Sequence, residues 1–589
     1  MKNLRIPILL MLFGALAMTG GVSFDSFSLG WSVDDQPVVE WVAAHAVRLQ
    51  TPAAGHGFAD MHPLKKMIGN ARIVSLGEAT HGTREFFQLK HRMLEFLATE
   101  MGFTIFSIEA NMPEAYQLND FVLNGKGDPA KLIKGMYFWT WDTQEVLDMV
   151  LWMREFNKSG KGRVQFTGFD MQAPDVAAGI VSDFVASSDA DYATSVRNAI
   201  DQTRNARPAA GFGVATTTFP VKAAAGKRVR FSGYIKTEDV TTGYAGLWWR
   251  VDGQAGALAF DNMQNRGVKG TTDWKRYDIE LSVPAHATNI NFGALFPGSG
   301  TAWFDGLSVE LDGVPYSDKS DFDLDFESST PRGFYTGGDG YMVHLDSQVF
   351  HNGKQSLRMT RTAPANDSKA VEPKVASSTW KEIVRHLEAS REAYAKKGAA
   401  PRDVEWVIQN ARVVLQCMQM RANEVQRDRS MADNVKWILD ANPGAKIVLW
   451  AHNGHVTTAS AGGFEPMGAS LRKVYGDQMV VFGFAFNQGS FQAIEQGKGL
   501  RDFTVRPAPA GSFDATLAAA GIPLFALDLR DAPKSGPVAA WLSEPHKTRS
   551  IGAVYPEESA AQSLFALKAF QSFDAILFVE KTTAARKNP

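Results

Sequence analysis

Six side chains able to exchange protons or hold charge fall in four short turns. Glu78 and His81 lie in Ser75-Leu-Gly-Glu-Ala-Thr-His-Gly82, Glu109 in Ser107-Ile-Glu-Ala-Asn111, Asp170 in Gly168-Phe-Asp-Met-Gln172, and His452 and His455 in Trp450-Ala-His-Asn-Gly-His-Val456. An imidazole, with an unperturbed pKa near 6.5, takes a proton from water at neutral pH. A carboxylate beside it fixes the tautomer and stabilises the imidazolium. Together these types suit the general acid–base work of an active site. Each alone has a plainer reading. Thr80 or His81 would cap the following helix, Asp170 would cap another, Glu109 would pair with an arginine, and each histidine would be a hydrogen-bonded core group. Histidine is scarce, however, with 12 in 589 residues, and three of them end apolar runs of the same kind.

Those runs read as strands. Residues 72–76, 104–108 and 164–169 are short and apolar, and they alternate with the helical patterns 84–101, 113–122 and 142–156. Asp142 is the expected N-cap of the last helix. From about 205 to 367 the helical period disappears, and short aromatic and β-branched runs alternate with Gly, Asp and Thr. That texture predicts a β-sandwich inserted between helical segments at 192–204 and 377–397. Alternation then resumes through strands at 446–451, 478–485, 524–528 and 575–579. The expected fold class is α/β: a mostly parallel sheet flanked by helices, discontinuous at 36–204 and 377–589, with an inserted all-β jelly-roll sandwich at 205–367. Ligands of such sheets bind beyond the carboxyl ends of the strands, which is where the six side chains fall.

Gly77-Glu-Ala-Thr-His-Gly-Thr-Arg-Glu-Phe86, Ile108-Glu-Ala-Asn-Met-Pro-Glu114, Gly135-Met-Tyr-Phe-Trp-Thr-Trp141, Gly168-Phe-Asp170 and Ala451-His-Asn-Gly-His455 together resemble the erythromycin esterase family. The resemblance covers both α/β segments and not the insert. It implies a hydrolase that opens a macrolide lactone ester with activated water and no covalent intermediate. It also implies that Glu78, His81, Glu109, His452 and His455 correspond to the family's active-site positions. Gly300-Thr-Ala-Trp-Phe-Asp-Gly-Leu-Ser-Val-Glu310 looks like the last strand of a jelly-roll carbohydrate-binding module, and Leu324-Asp-Phe-Glu327 with Gly353-Lys-Gln-Ser-Leu-Arg358 looks like such a module's opening, so a permuted jelly roll with a glycan partner is expected.

In this reading His81 is the general base, oriented by Glu78 or Glu109. His455, His452 and Arg84 are candidate donors to the oxyanion. Trp139, Trp141, Asp170 and Asn453 complete the expected substrate contacts, and a small-molecule ester or lactone is the expected substrate. No organic cofactor is called for. A divalent metal is the chemical rival, since Glu78, His81, His452 and His455 are all of ligand type. The spacing matches no helical H-E-x-x-H pattern, and no G-x-S-x-G elbow, Walker loop or dinucleotide fingerprint occurs. Trp248, Trp249 and Trp274 are candidates for stacking on sugars or for burial in the sandwich.

Lys2 and Arg5, the apolar run Ile6–Met18 and the small residues after it read as a secretory signal over residues 1–21. Export to the periplasm or the extracellular space is expected, with no membrane span after its removal. The lone Cys417 excludes an intramolecular disulfide and is expected as a buried thiol. A net charge of −2 gives no reason to expect nucleic acid.

Overall fold

The structure, a computed structural model, describes residues 35–588 apart from 207–211, 254–255, 319–321, 339, 363–370, 424, 461–463, 496–498 and 556–563. The expected signal at 1–21 lies outside the described residues. Cys417 is buried within the helix Pro401–Ala422, as its pattern predicts.

The first sheet has nine strands: β1 (Val47–Arg48), β2 (Ile73–Leu76), β3 (Ile105–Asn111), β4 (Gln165–Asp170), β5 (Ile447–Trp450), β6 (Met479–Glu495), β7 (Gly499–Val505), β8 (Leu524–Asp528) and β9 (Ala575–Thr582). Their order is β1-β8-β9-β6-β2-β5-β3-β4, with β7 paired to β6. β2, β3, β5 and β8 are buried at every position, and β4 at all but its first, because both faces of the sheet are covered. Strands β9, β6, β2, β5, β3 and β4 run parallel. β8 is antiparallel to both β9 and β1, and β7 is antiparallel to β6. The sheet is therefore mixed: the strand expected at 524–528 is present, but it runs antiparallel to its neighbours in an otherwise mostly parallel sheet. An apolar run buried on both faces carries no mark of its direction.

Helices α1 (Arg84–Met101), α2 (Met112–Asn124) and α3 (Gln144–Lys158) follow β2 and β3 along the chain. The N-cap of α3 is Thr143, whose hydroxyl accepts from Val146 N at 3.3 Å. Asp142, the expected cap, instead accepts from Asn588 Nδ2 at 2.9 Å.

Helix α4 (Ala193–Asn205) leads into the insert and α5 (Pro373–Ala389) leads out. Their ends meet where Val371 N donates to Asn205 O at 3.0 Å and Trp380 Nε1 donates to Thr203 Oγ1 at 2.6 Å. A chain that leaves and returns at one point leaves the rest of the domain undisturbed. Between these helices lies a ten-stranded sheet with a core of its own, which includes Phe231, Phe292 and Phe304. Trp249 is fully buried there against Phe231 and Phe292, so it is a core residue and not a stacking platform.

Beyond the insert, helix α6 (Gln426–Asp440) precedes β5, and the single turn α7 (Asn453–Val456) comes directly after that strand.

Candidate functional site

β2, β5, β3 and β4 are consecutive and parallel, so their carboxyl ends share one edge and the four turns converge there. The turn after β2 is tied down from several sides. Gly77 N donates to Phe482 O at 2.8 Å, Asn453 N to Glu78 O at 2.8 Å, Ile551 N to Ala79 O at 2.7 Å and Gln492 N to Gly82 O at 2.9 Å. Backbone held in this way fixes side-chain position more firmly than an unpaired loop.

Glu78 is completely buried, and His81 is 2 % exposed. His81 Nδ1 lies 2.7 Å from Glu78 Oε1. Burial alone would raise the Glu78 pKa, but the Lys90 ammonium and His81 outweigh it and hold the group below its usual range. An ionised carboxylate only accepts, so Nδ1 carries the proton and Nε2 is the basic nitrogen of the neutral ring. The second Glu78 oxygen accepts from Lys90 Nζ at 2.5 Å and Trp450 Nε1 at 2.6 Å.

Glu109 faces the same space from β3. Its Oε2 accepts from the backbone amide of His452 at 3.0 Å, and its Oε1 accepts from Arg427 Nη2 at 2.7 Å. Burial works against its charge, but His455 and Arg427 prevail and keep it ionised. The same Arg427 nitrogen reaches Asp170 Oδ2 at 2.8 Å. Asp170 therefore anchors Arg427.

The two imidazoles after β5 differ in state. His455 Nδ1 donates to Asp428 at 2.9 Å, and its Nε2 lies 3.4 Å from Glu109 Oε1. Burial disfavours its charge, yet Asp428 and Glu109 raise its pKa above the ordinary value. His452 goes the other way: burial, reinforced by the nearby His81, pushes it down to about 3. Its Nδ1 accepts from Gly454 N at 3.2 Å, so its Nε2 carries the hydrogen of a neutral ring. That Nε2 has no hydrogen-bond partner among the described residues. The ring centroids of His81 and His452 are 4.9 Å apart.

His81 and Glu109 line a hollow with Phe138, Thr140, Trp141, Gln172 and Ala553, of about 240 Å³ with its open space included. Trp141 is positioned by its indole N–H, which donates to Glu109 O at 3.2 Å, and by an edge contact with Trp450.

The remaining expected contacts are placed elsewhere. Arg84 Nε faces Glu145 Oε1 at 3.6 Å, and neither Arg84 nor Trp139 is among the lining residues. The Asn453 amide is used structurally, bonding Phe484 N and Phe484 O at 3.0 and 2.8 Å. Arg427, Asp428 and Lys90 were missed because each sits inside a helix with an ordinary amphipathic pattern. Among the described residues no group of three or more His, Cys, Asp or Glu side chains is arranged to hold a metal ion. Glu78 is instead committed to His81, Lys90 and Trp450.

The erythromycin esterase family model matches residues 98–231 and 342–582, leaving most of the β-rich insert unmatched. Erythromycin esterase type II of Escherichia coli is 33% identical over 135 residues, 22% of this chain and 31% of that protein. The chain thus spans about a third of the length of that relative. A Bacillus cereus protein of known crystal structure matches over 94% of this chain and 100% of its own, with TM-score 0.60 at 19% identity. An erythromycin esterase mutant crystallised in its open conformation matches over 90% and 96%, with TM-score 0.51 at 13% identity. These likenesses show a shared fold, and the two matched segments together cover more than half the sequence: the chain belongs to the erythromycin esterase family.

Proposed function

We propose that the protein is an exported hydrolase that cleaves a carboxylic ester or lactone with a water molecule activated by His81. Family membership supports a hydrolase of the esterase type. The observation that carries the mechanism is His81 at the wall of the hollow, its Nδ1 held by the fully buried Glu78 behind it and its ring packed against that of His452.

In this mechanism a water molecule in the hollow gives its proton to His81 Nε2 as its oxygen attacks the ester carbonyl. Glu78 holds Nδ1–H and stabilises the imidazolium. The carbonyl oxygen becomes an oxyanion and accepts from His452 Nε2–H, which stays neutral because burial depresses its pKa. Collapse breaks the bond to the alcohol oxygen, which takes the proton back from His81. The products are a carboxylic acid and an alcohol, or one hydroxy acid from a lactone. Glu109, ionised at the same wall, orients the water, and Trp141 supplies an apolar surface. A macrolide lactone is the substrate class suggested by the relatives' names. We take residues 205–367 to be an inserted jelly-roll module with a glycan as its partner, and the segment 1–21 to direct export.

The test is a hydrolysis screen with mass detection over macrolides, simple lactones and aryl esters. The expected result is a mass gain of one water on at least one lactone, or an acid and an alcohol from an ester. His81→Ala should lower that rate by roughly 10²–10⁴-fold, and Glu78→Gln, which forces the wrong tautomer, by a comparable factor. A protein that hydrolyses nothing in the panel, or whose rate is unaffected by His81→Ala, is not a hydrolase of this kind.

A further inference from the structure

We propose that Lys90 is a positioning residue for the candidate site: its buried ammonium holds the Glu78 carboxylate as the ionised partner of His81. The assignment rests on the reading of His81 as the base. Lys90 lies in the second turn of α1, twelve residues after Glu78, and is completely buried. A lysine is almost never buried this fully unless it is paired. Its Nζ lies 2.5 Å from Glu78 Oε2, 4.4 Å from the centre of a Trp450 ring and 5.2 Å from that of Phe484. Thus a carboxylate and two ring faces surround the ammonium.

The two Glu78 oxygens divide their work. Oε1 receives His81, while Oε2 receives Lys90 and Trp450, and Trp450 touches the lysine as well. Lys90 is the fixed cation of this set, since the indole is neutral and the imidazole changes charge during turnover. Without it, a fully buried carboxylate would be opposed by burial with only two donors left. Lys90 itself is pushed down to about 8 by burial, with Glu78 pulling it up. The pairing therefore weakens as pH rises through that value.

The other charged or titratable groups facing Glu78 and His81 are Glu109 from β3 and His452 and His455 beyond β5. Arg427 and Asp428 from α6 and Asp170 from β4 stand behind Glu109 and His455. None of them contacts the Glu78 oxygen that Lys90 occupies. Removing Lys90 takes away a positive charge, so the Glu78–His81 pair should bind a proton at higher pH than in the wild type. The sign is the same whether that proton resides on the carboxylate or on the ring.

The experiment is an NMR titration of the full-length protein with isotope-labelled histidine, the His81 ring identified by its loss in His81→Gln. In Lys90→Met the midpoint of the pair should move up by about one pH unit, the lower end of what a charge at this range produces. The double variant Lys90→Met/Glu78→Gln should lose that upward shift. A lysine that only fills the core would lower thermal stability and leave the midpoint within about 0.3 unit of wild type, and that outcome overturns the assignment. The unmutated protein gives a second readout should Lys90→Met fail to fold: the His81 ring should show an alkaline inflection coincident with titration of the labelled Lys90 Nζ, and its absence also overturns the assignment. Neither readout requires turnover. A shifted midpoint with no ester hydrolysed would refute the hydrolase reading alone, whereas active enzyme with an unmoved midpoint and no alkaline inflection would refute the role of Lys90 alone.

Discussion

Arg427 Nη2 lies 2.7 Å from Glu109 Oε1, although the two residues are 318 positions apart and the β-rich insert separates them in the chain. The contact joins the two α/β segments at the site. The first segment supplies Glu78, His81, Lys90, Glu109 and Asp170, and the second supplies Arg427, Asp428, His452 and His455. Because the insert leaves and returns at the Asn205–Val371 contact, the sheet closes as if it were absent.

Arg427→Lys tests that joint. One guanidinium nitrogen bridges Glu109 and Asp170 while Nε serves Asp170 as well, and a lysine cannot reproduce that fork. The variant should fold and lose about 1–3 kcal/mol through unpaired carboxylate oxygens. Arg427→Met should lose roughly 3–5 kcal/mol because buried charge is left uncompensated. Denaturant unfolding measures both. An Arg427→Met protein as stable as wild type would show that Glu109 and Asp170 need no cation.

His455 predicts a pH-dependent contribution to stability. Its folded pKa is raised by Asp428 and Glu109. Its stabilising effect is therefore fully present below the unfolded value near 6.5 and is lost as pH rises through the higher folded value. The difference in unfolding free energy between wild type and His455→Gln should be larger at pH 6 than at pH 9. A difference that grows with pH would contradict the carboxylate cage around this ring.

The sheet and the convergence of its turns were legible in the sequence because strand ends in a parallel sheet share one edge. Burial on both faces made β2, β3 and β5 readable as apolar runs. The antiparallel β8 was not readable, since direction is set by long-range pairing with β9 and β1. Glu78, His81 and Glu109 stood out because charge interrupts the chain just past an apolar run. Arg427 and Lys90 did not, because a cation on a helix ordinarily faces water, and only tertiary packing turned these two inward. Arg84 is the converse case, a cation beside a motif that the fold directs to Glu145.

Arg84→Ala should accordingly change hydrolysis rates by less than about threefold. Its side chain is 39% exposed, and an exposed ion pair contributes little, about 0–1 kcal/mol. Glu145 keeps its partner Arg586 at 2.7 Å when Arg84 is removed. Steady-state kinetics on the best substrate from the screen measures this. A loss of tenfold or more in kcat/KM would place the guanidinium at the reacting ester and restore the role its position in the motif suggests.

Gly77 lies where the turn after β2 packs against Asn453 of the turn after β5. A Cβ at this position would stand 2.1 Å from Asn453 Oδ1 and 3.1 Å from Phe482 O. The Asn453 oxygen has little freedom to retreat, because it accepts from Phe484 N while its amide donates to Phe484 O. Gly77→Ala must therefore push apart the turns that carry Glu78 and His452. It should lower the unfolding midpoint and reduce hydrolysis together. Asn453→Ala alone should cost about 1–3 kcal/mol through the lost backbone bonds. Gly77→Ala/Asn453→Ala removes the colliding oxygen, so the double variant should be more stable than the sum of the single losses predicts. Additive losses would mean that the collision is relieved elsewhere and that these two turns are not coupled through this contact.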